Sequence, residues 1–157
     1  MYKPPIMKLN EAKDLAIQLM TKHGIVQQGW RFEFDNAKRR FGCCKYRSKR
    51  ITLSVYLTEL NEMSRVKNTI LHEIAHALCP KEGHNEVWRA KAIQIGCDGE
   101  RCYSSNEVET VKGNYSATCC GCNKVFTRFR KTNKSQSCGN CSEGRYNPTY
   151  KLNWVKN

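Results

Sequence analysis

Two histidines and a glutamate lie close together in a segment with helical periodicity. The segment reads HEIAH from His72 to His76, and His84 is the only histidine that follows it. Histidines four positions apart lie one turn apart on the same side of a helix, so both imidazoles can reach one ion. A catalytic zinc usually takes three protein ligands and one water. The pattern therefore predicts a catalytic zinc bound by His72, His76 and His84.

Glu73 directly follows the first of these histidines and is the predicted catalytic base. From this position a carboxylate can approach a zinc-bound water without binding the metal. It would take the proton of the water and pass it to a leaving amine, which is the chemistry of peptide hydrolysis. Such hydrolysis also needs an oxyanion donor, for which the sequence offers no single candidate. The alternative is that His72 and His76 are ordinary histidines of the hydrophobic core. It is weaker because each imidazole would then need its own buried hydrogen-bond partner.

Four cysteines near the C-terminus form a second set of metal-ligating residues. They are arranged as two Cys-x-x-Cys pairs, Cys119 with Cys122 and Cys138 with Cys141. Two such pairs can surround one tetrahedral ion, so we predict a structural zinc and two zinc ions per chain in all. Cys120 could replace Cys119, but the spacing favours Cys119. Two disulfides are the alternative, and no secretion signal supports them. The other cysteines are expected to be buried or free thiols: Cys43, Cys44, Cys79, Cys97 and Cys102.

The charge of the chain indicates an anionic partner. Lys and Arg number 27 against 14 Asp and Glu, a formal charge of +13, and nucleic acid, with DNA favoured, is the first candidate. The excess lies in residues 37–50 and 111–157. A merely solvated surface is the alternative. The residues expected to contact nucleic acid are Lys38, Arg39, Arg40, Arg47, Lys49, Arg50, Lys124, Phe126, Arg128 and Arg130.

A strand is predicted between the paired cysteines, over residues 124–131. Alternation places Lys124, Phe126, Arg128 and Arg130 on one face, where Phe126 could stack on a base, and leaves the opposite face to pack. A ribbon of this size has little core, so a metal would supply much of its folding free energy.

Hydrophobic periodicity predicts the elements that position the histidines. Apolar residues at helical spacing predict helices over 9–22, 66–78 and 85–95. Alternation predicts half-buried strands over 30–35 and 51–57. A further strand over 42–46 would form a hairpin with the second of these through a basic turn. The order of helix, strands, helix and helix is typical of an α+β domain.

The composition separates two predicted domains, residues 1–112 with the histidines and residues 113–157 with the paired cysteines. No apolar run approaches the roughly 18 residues of a membrane helix, and the N-terminal residues lack a signal-peptide pattern. We therefore expect an intracellular protein, cytoplasmic or in the nucleoid or nucleus, not secreted and without membrane contact. A monomer is the default.

Several stretches of the chain carry a family resemblance. They are WRFEFDNA from Trp30, RFG from Arg40, ITLS from Ile51 and HEIAHAL from His72, followed by Gly83-His84, Trp88 and the paired cysteines. In this combination the chain resembles the SprT-like, or Spartan-like, zinc metallopeptidases with a C-terminal zinc ribbon.

The resemblance implies a zincin-like α+β domain, with an N-terminal helix, a small antiparallel sheet, the HExxH helix and a following helix, plus a small β zinc ribbon. It also implies a zinc endopeptidase that cleaves DNA-bound or DNA-crosslinked proteins, with His72, His76 and His84 as zinc ligands and Glu73 as base. The zinc ligands of the ribbon would be Cys119, Cys122, Cys138 and Cys141.

Two other functions fit the same residues. The first alternative is a non-catalytic nucleic-acid-binding protein, a transcription or replication accessory, in which the HExxH zinc is structural. The second is a metallopeptidase indifferent to nucleic acid, whose charge serves solubility. The enzyme is favoured over the binding protein because a purely structural site does not require a glutamate at position 73.

Overall fold

The computed structural model describes residues 5–104 and 107–157. The chain divides into two compact units, Met1–Val111 and Lys112–Asn157. None of the helices in the described part of the chain is long and apolar enough to cross a bilayer.

The first unit is an α+β assembly in which the long helices carry the predicted histidines. The described elements are α1 (Leu9–Lys22), β1 (Arg31–Asp35), β2 (Gly42–Lys45), β3 (Arg50–Ser54), α2 (Val55–Leu60), α3 (Met63–Leu78) and α4 (Glu86–Gln94). Helix α3 packs against α1, α4 and β2, and its buried side includes Val66, Ile70 and Ile74. The α+β class and the three helices expected from periodicity are confirmed, and α3 begins three residues earlier than the apolar pattern indicated.

The prediction of a half-buried strand over 51–57 is wrong in two respects. Strand β3 is central to its sheet, and residues 51–54 are all buried, because neighbours cover both faces. The strand also ends at Ser54, where the hydroxyl accepts a hydrogen bond from the Leu57 N–H at 3.2 Å and begins helix α2. An N-cap of this kind overrides the alternation that Val55 and Leu57 seemed to continue.

The sheet of the first unit is mixed rather than fully antiparallel. Strands β2 and β3 form the expected antiparallel hairpin, with Lys49 at φ 48° in the turn. Strand β1, however, pairs with β3 in parallel, and the strand order is β1-β3-β2. Alternation indicates which residues face the core but not the strand direction. The segment 36–41 carries the chain past β3 before β2 begins, and β3 then returns between the other two.

The second unit is a small β structure built around the paired cysteines. Strands β4 (Tyr115–Thr118), β5 (Val125–Arg128) and β6 (Val155–Lys156) form an antiparallel sheet in the order β5-β4-β6, and a 3-10 helix spans Pro148–Tyr150. The core contains Ala117, Cys119, Cys138 and Leu152.

The predicted facing of the strand between the paired cysteines is wrong. Phe126 packs against the core of the second unit, whereas Val125 is 60% exposed. Arg128 is half-buried, with its guanidinium 4.9 Å from the centre of the Trp154 ring. The aromatic residue therefore faces inward, because in so small a unit the Phe126 ring contributes more to the core than Val125 could.

Candidate metal and catalytic site

Two elements of the first unit bring the three predicted histidine ligands together. Helix α3 carries His72 and His76, and the turn after it, with Gly83 at φ 60°, returns the chain so that His84 faces them. Gly83 is in the left-handed region of backbone conformations, which glycine adopts without strain. The Nε2 atoms lie 3.2 Å apart for His72 and His76, 3.1 Å for His76 and His84, and 3.0 Å for His84 and His72.

Hydrogen bonding cannot account for this triangle of nitrogens. A neutral imidazole nitrogen either donates or accepts, so among three mutual contacts at least one pair must repel. A common cation removes the conflict because all three lone pairs then point to it. Zinc with nitrogen ligands at 2.0–2.1 Å would separate tetrahedral nitrogens by about 3.3 Å. The observed separations are close to this value, so the three histidines fit a zinc ion and leave one side of it open.

The protonation state of the histidines suits metal binding. Burial, followed by the charges of the neighbouring histidines, lowers the pKa of His72 and of His76 to about 4. Burial and the nearby charge of Arg101 lower the pKa of His84. All three imidazoles are therefore neutral at neutral pH, which is the form that coordinates a metal.

Groups behind the histidines fix their orientation. Trp88 is 1% exposed, and its ring centre lies 4.6–5.1 Å from those of all three imidazoles. The backbone of Glu100 hydrogen-bonds to His72. The loop that contains Glu100 is held by Asn68 through Asp98. Asn68 Nδ2 donates to Asp98 Oδ2 at 2.7 Å, and Asn68 Oδ1 accepts from the Asp98 N–H at 2.9 Å. Partners of this kind set the direction of a ligand's lone pair.

Glu73 is buried on the same helix and points toward strand β2. It is 7% exposed, and burial raises its pKa to about 7, although the charge of Arg40 and a hydrogen bond from the Cys44 backbone act in the opposite direction. A carboxyl group with a pKa near neutrality can both accept and return a proton at working pH. This is the behaviour that the sequence predicts for the base.

The four predicted cysteine ligands also converge in the second unit. Their sulfur atoms form one group in which Cys119 and Cys141, and likewise Cys122 and Cys138, are 3.7 Å apart. Tetrahedral zinc with sulfur ligands at 2.3 Å would separate them by about 3.8 Å. The Sγ of Cys120 instead donates to the Thr149 carbonyl at 3.2 Å. The geometry thus fits a four-thiolate zinc site with Cys119 in it, as the spacing predicts.

Comparison with known proteins gives the family. The sequence model of the SprT-like family matches residues 12–112. The chain belongs to the SprT-like family. Among solved structures, the zymogen of the metallopeptidase jannalysin from Methanocaldococcus jannaschii is similar over 61% of this chain and 85% of its own, with 18% sequence identity and a TM-score of 0.48. No curated protein matches the sequence. The family resemblance read from the sequence is therefore confirmed.

Two cavities flank the histidines and Glu73 of this SprT-like protein. One of about 450 Å³ exposes all three histidines together with Glu73, Tyr46, Lys81 and Arg101. These last three carry side-chain hydrogen-bond donors and are the candidates that this cavity offers for an oxyanion donor; the sequence indicated none of them. The other cavity, of about 420 Å³, is lined by His72 and Glu73 on one wall.

Gly42 controls the position of Glu73. A Cβ atom at residue 42 would lie 2.8 Å from Glu73 Oε1 and 3.0 Å from Thr69 Cγ2, so the flexible glutamate would have to move. Gly42→Ala is expected to keep the fold and the metal but to lower kcat/KM about a hundredfold, the cost of displacing a catalytic group by about 1 Å. Peptide cleavage kinetics measure kcat/KM, and metal analysis measures the retention of the ion. Gly139→Ala is the control because a Cβ atom there meets nothing within 4 Å, and equal activities in the two variants would contradict the assignment.

The remaining cysteines are free thiols, as expected. Cys79 and Cys97 are buried, Cys43 and Cys44 are half-buried, and Cys102 is exposed. Burial raises the pKa of Cys44 to about 12 and that of Cys97 to about 11. Neither is a thiolate at neutral pH, so neither is a strong nucleophile or metal ligand.

The basic residues expected to contact nucleic acid differ in how available they are. Arg47 and Arg130 are exposed. Arg40 pairs with Asp35 at 2.6 Å and Arg50 pairs with Glu33 at 3.1 Å. Lys49 donates to the Gln28 carbonyl at 2.8 Å. The ammonium groups of two lysines lie over aromatic rings, Lys38 over Tyr56 and Lys124 over Phe126. Arg39 is exposed at the surface, and Arg128 lies against Trp154 as described above.

Proposed function

We propose that this protein is a zinc-dependent endopeptidase of the SprT-like type. The observation that supports it most strongly is the convergence of three neutral imidazoles at 3.0–3.2 Å beside a buried glutamate in an open cavity. A closed, purely structural metal site would not need the cavity, whereas a catalytic zinc site keeps a position accessible. The metallopeptidase character of the solved neighbour is a property of that protein and adds nothing to this argument.

The residues of the chain divide the work of hydrolysis among them. A bound zinc would supply a water of lowered pKa and a Lewis acid for the scissile carbonyl. His72, His76 and His84 hold the ion, and Trp88 and the Glu100 backbone keep the imidazoles in place. Glu73 takes a proton at one carboxylate oxygen and returns it to the leaving amine. Gly42 lacks a Cβ atom and so leaves space for the Glu73 carboxylate.

We further propose that the substrates are proteins bound or crosslinked to DNA, with the nucleic acid held by the basic hairpin and the zinc ribbon. The formal charge of +13 supports this proposal, as does the exposure of Arg47 in the hairpin turn and of Arg130 in the second unit. Basic side chains of this kind bind phosphates through counterion release. A reducing, intracellular compartment suits ten cysteines that serve as thiols or zinc ligands rather than as disulfides.

Cleavage of a DNA-binding protein, with and without DNA, tests the proposal. The zinc-loaded protein is expected to degrade the substrate faster when DNA is present, and the stimulation should fall as salt rises because phosphate contacts are lost. Arg47→Ala combined with Arg130→Ala should reduce the stimulation. The same rate with and without DNA would indicate a peptidase indifferent to nucleic acid. Salt-dependent DNA binding without cleavage would instead favour the non-catalytic binding protein.

A further inference from the structure

We propose that the cavity lined by Arg40 and Arg101 beside Glu73 is a substrate subsite for an acidic side chain, Asp or Glu, next to the scissile bond. The proposal rests on the peptidase function above and adds a substrate preference to it. Four arginines line this cavity, Arg40 and Arg101 together with Arg39 and Arg65, and the basis of the proposal is their combination with an aromatic floor and a wall formed by His72 and the base.

The cavity is continuous with the reaction centre. His72 and Glu73 form one wall of its volume of about 420 Å³, so a peptide held at the base places a neighbouring side chain there. Phe41 and Tyr103 also line it, with ring centres 6.4 Å apart in an edge-to-face arrangement. Phe41 is 2% exposed and supports the half-buried Tyr103 ring from the core side. The Tyr103 ring can cover the methylene groups of a glutamate while the carboxylate of that glutamate reaches outward.

Arg40 is fixed in this cavity by a second layer of contacts. Its Nη2 donates to Asp35 Oδ2 at 2.6 Å, and the same carboxylate accepts from Thr52 Oγ1 at 2.7 Å and from the Ala37 N–H at 2.9 Å. One edge of the guanidinium is thereby anchored, and its other N–H groups remain for a ligand. An arginine held in this way is pre-organised to bind a carboxylate.

Arg101 lies where the two cavities meet, since it lines both. Among residues 5–104 and 107–157 it forms no ion pair. Besides Glu73, two acids line the same cavity, and both are engaged elsewhere: Asp98 with Asn68 and Arg65, and Glu100 with Arg89. Arg101 therefore places a positive charge near the base without a carboxylate partner in the described part of the chain, and this charge repels a lysine or arginine of a substrate.

The test compares peptides that differ only in one side chain. A digest of an unfolded protein, analysed by mass spectrometry, first identifies a cleaved bond. Peptides containing that bond then carry Glu, Gln or Lys on either side of it. Glu is expected to exceed Gln at least about tenfold in kcat/KM on one side, the effect of one charge-assisted hydrogen bond, and Lys to fall below Gln.

Arginine variants assign the preference to this cavity. Arg40→Gln and Arg101→Gln should each lower the Glu-to-Gln ratio of kcat/KM, and together they should bring it close to one. The ratio is used because Arg40 also affects Glu73 and can change all rates alike. Arg31→Gln is the matched control, since Arg31 is exposed on β1 and lines neither cavity. Zinc content and circular dichroism confirm that each variant is folded.

The outcomes separate this proposal from the proposed function. Cleavage with equal kcat/KM for Glu and Gln peptides would refute the subsite and leave the peptidase intact. Absence of cleavage for every peptide would refute the peptidase function. The subsite would then be tested by fluorescence anisotropy titration of the peptides, and equal affinities for the Glu and Gln peptides would refute the subsite as well. Arginine variants that lose DNA affinity while the peptide ratio persists would assign the two guanidinium groups to nucleic-acid phosphates instead.

Discussion

Glu73→Gln is expected to reduce kcat for peptide cleavage by about 10²–10⁴-fold, the usual contribution of a positioned general base. Glutamine has nearly the same shape as glutamate but cannot accept the proton of the attacking water. Glu73 is buried and is not one of the converging histidines, so a neutral amide of nearly the same shape should leave the fold and the metal in place. Steady-state kinetics on a cleaved peptide measure the loss.

Metal content and thermal unfolding accompany this measurement. Both should match the wild-type protein in Glu73→Gln, and Glu73→Ala should give the same loss of cleavage with some loss of stability from the cavity it leaves. Exposed Glu59 on α2 provides the control, since Glu59→Gln removes the same charge away from the histidines. Wild-type kcat in the zinc-loaded Glu73→Gln variant would contradict the proposed mechanism.

Cys138→Ser is expected to remove one zinc ion and to unfold the second unit. Cys119 and Cys138 belong to its small core and Cys141 packs against it, and the sulfur atoms of these three residues form one group with that of Cys122. A structural zinc of this type contributes an apparent binding free energy of about 10–16 kcal/mol, which becomes folding free energy. A hydroxyl in place of one thiolate removes much of that contribution. Metal analysis and amide hydrogen exchange should show the loss of one ion and of protection in residues 112–157.

Cys120→Ser is the matched control for this substitution. It replaces a neighbouring thiol that hydrogen-bonds to the Thr149 carbonyl outside the sulfur cluster, so both zinc ions and the exchange protection should persist. If Cys138→Ser retained both ions, the four-thiolate site would be wrong. If Cys120→Ser lost one, the ligand at the first pair would have to be reassigned.

Local patterns determined the reactive parts of the site. The i, i+4 spacing of His72 and His76 on an amphipathic segment predicts that the two imidazoles lie close together, because the regular geometry of a helix places such residues on the same side. The two Cys-x-x-Cys pairs predict their cluster for a similar reason. His84 required one more step, the assumption of a return after α3, which Gly83 makes possible with its left-handed backbone.

Contacts between distant segments could not be read in the same way. The approach of Gly42 to Glu73 depends on the packing of β2 against α3, and hydrophobic periodicity does not predict this contact. The interaction of Asn68 with Asp98 spans thirty residues. The parallel pairing of β1 with β3 and the inward position of Phe126 are likewise decided by which surfaces need covering, and alternation alone gives the wrong answer for both β3 and β5.

Zinc content of the wild-type protein and of His84→Ala, measured side by side with peptide cleavage, tests the central claim most directly. His84 is exposed, so its removal should not disturb the core. Two zinc ions are expected in the wild-type protein and one in the variant, and only the wild-type protein is expected to cleave the peptide. Two zinc ions and undiminished cleavage in His84→Ala would contradict the claim.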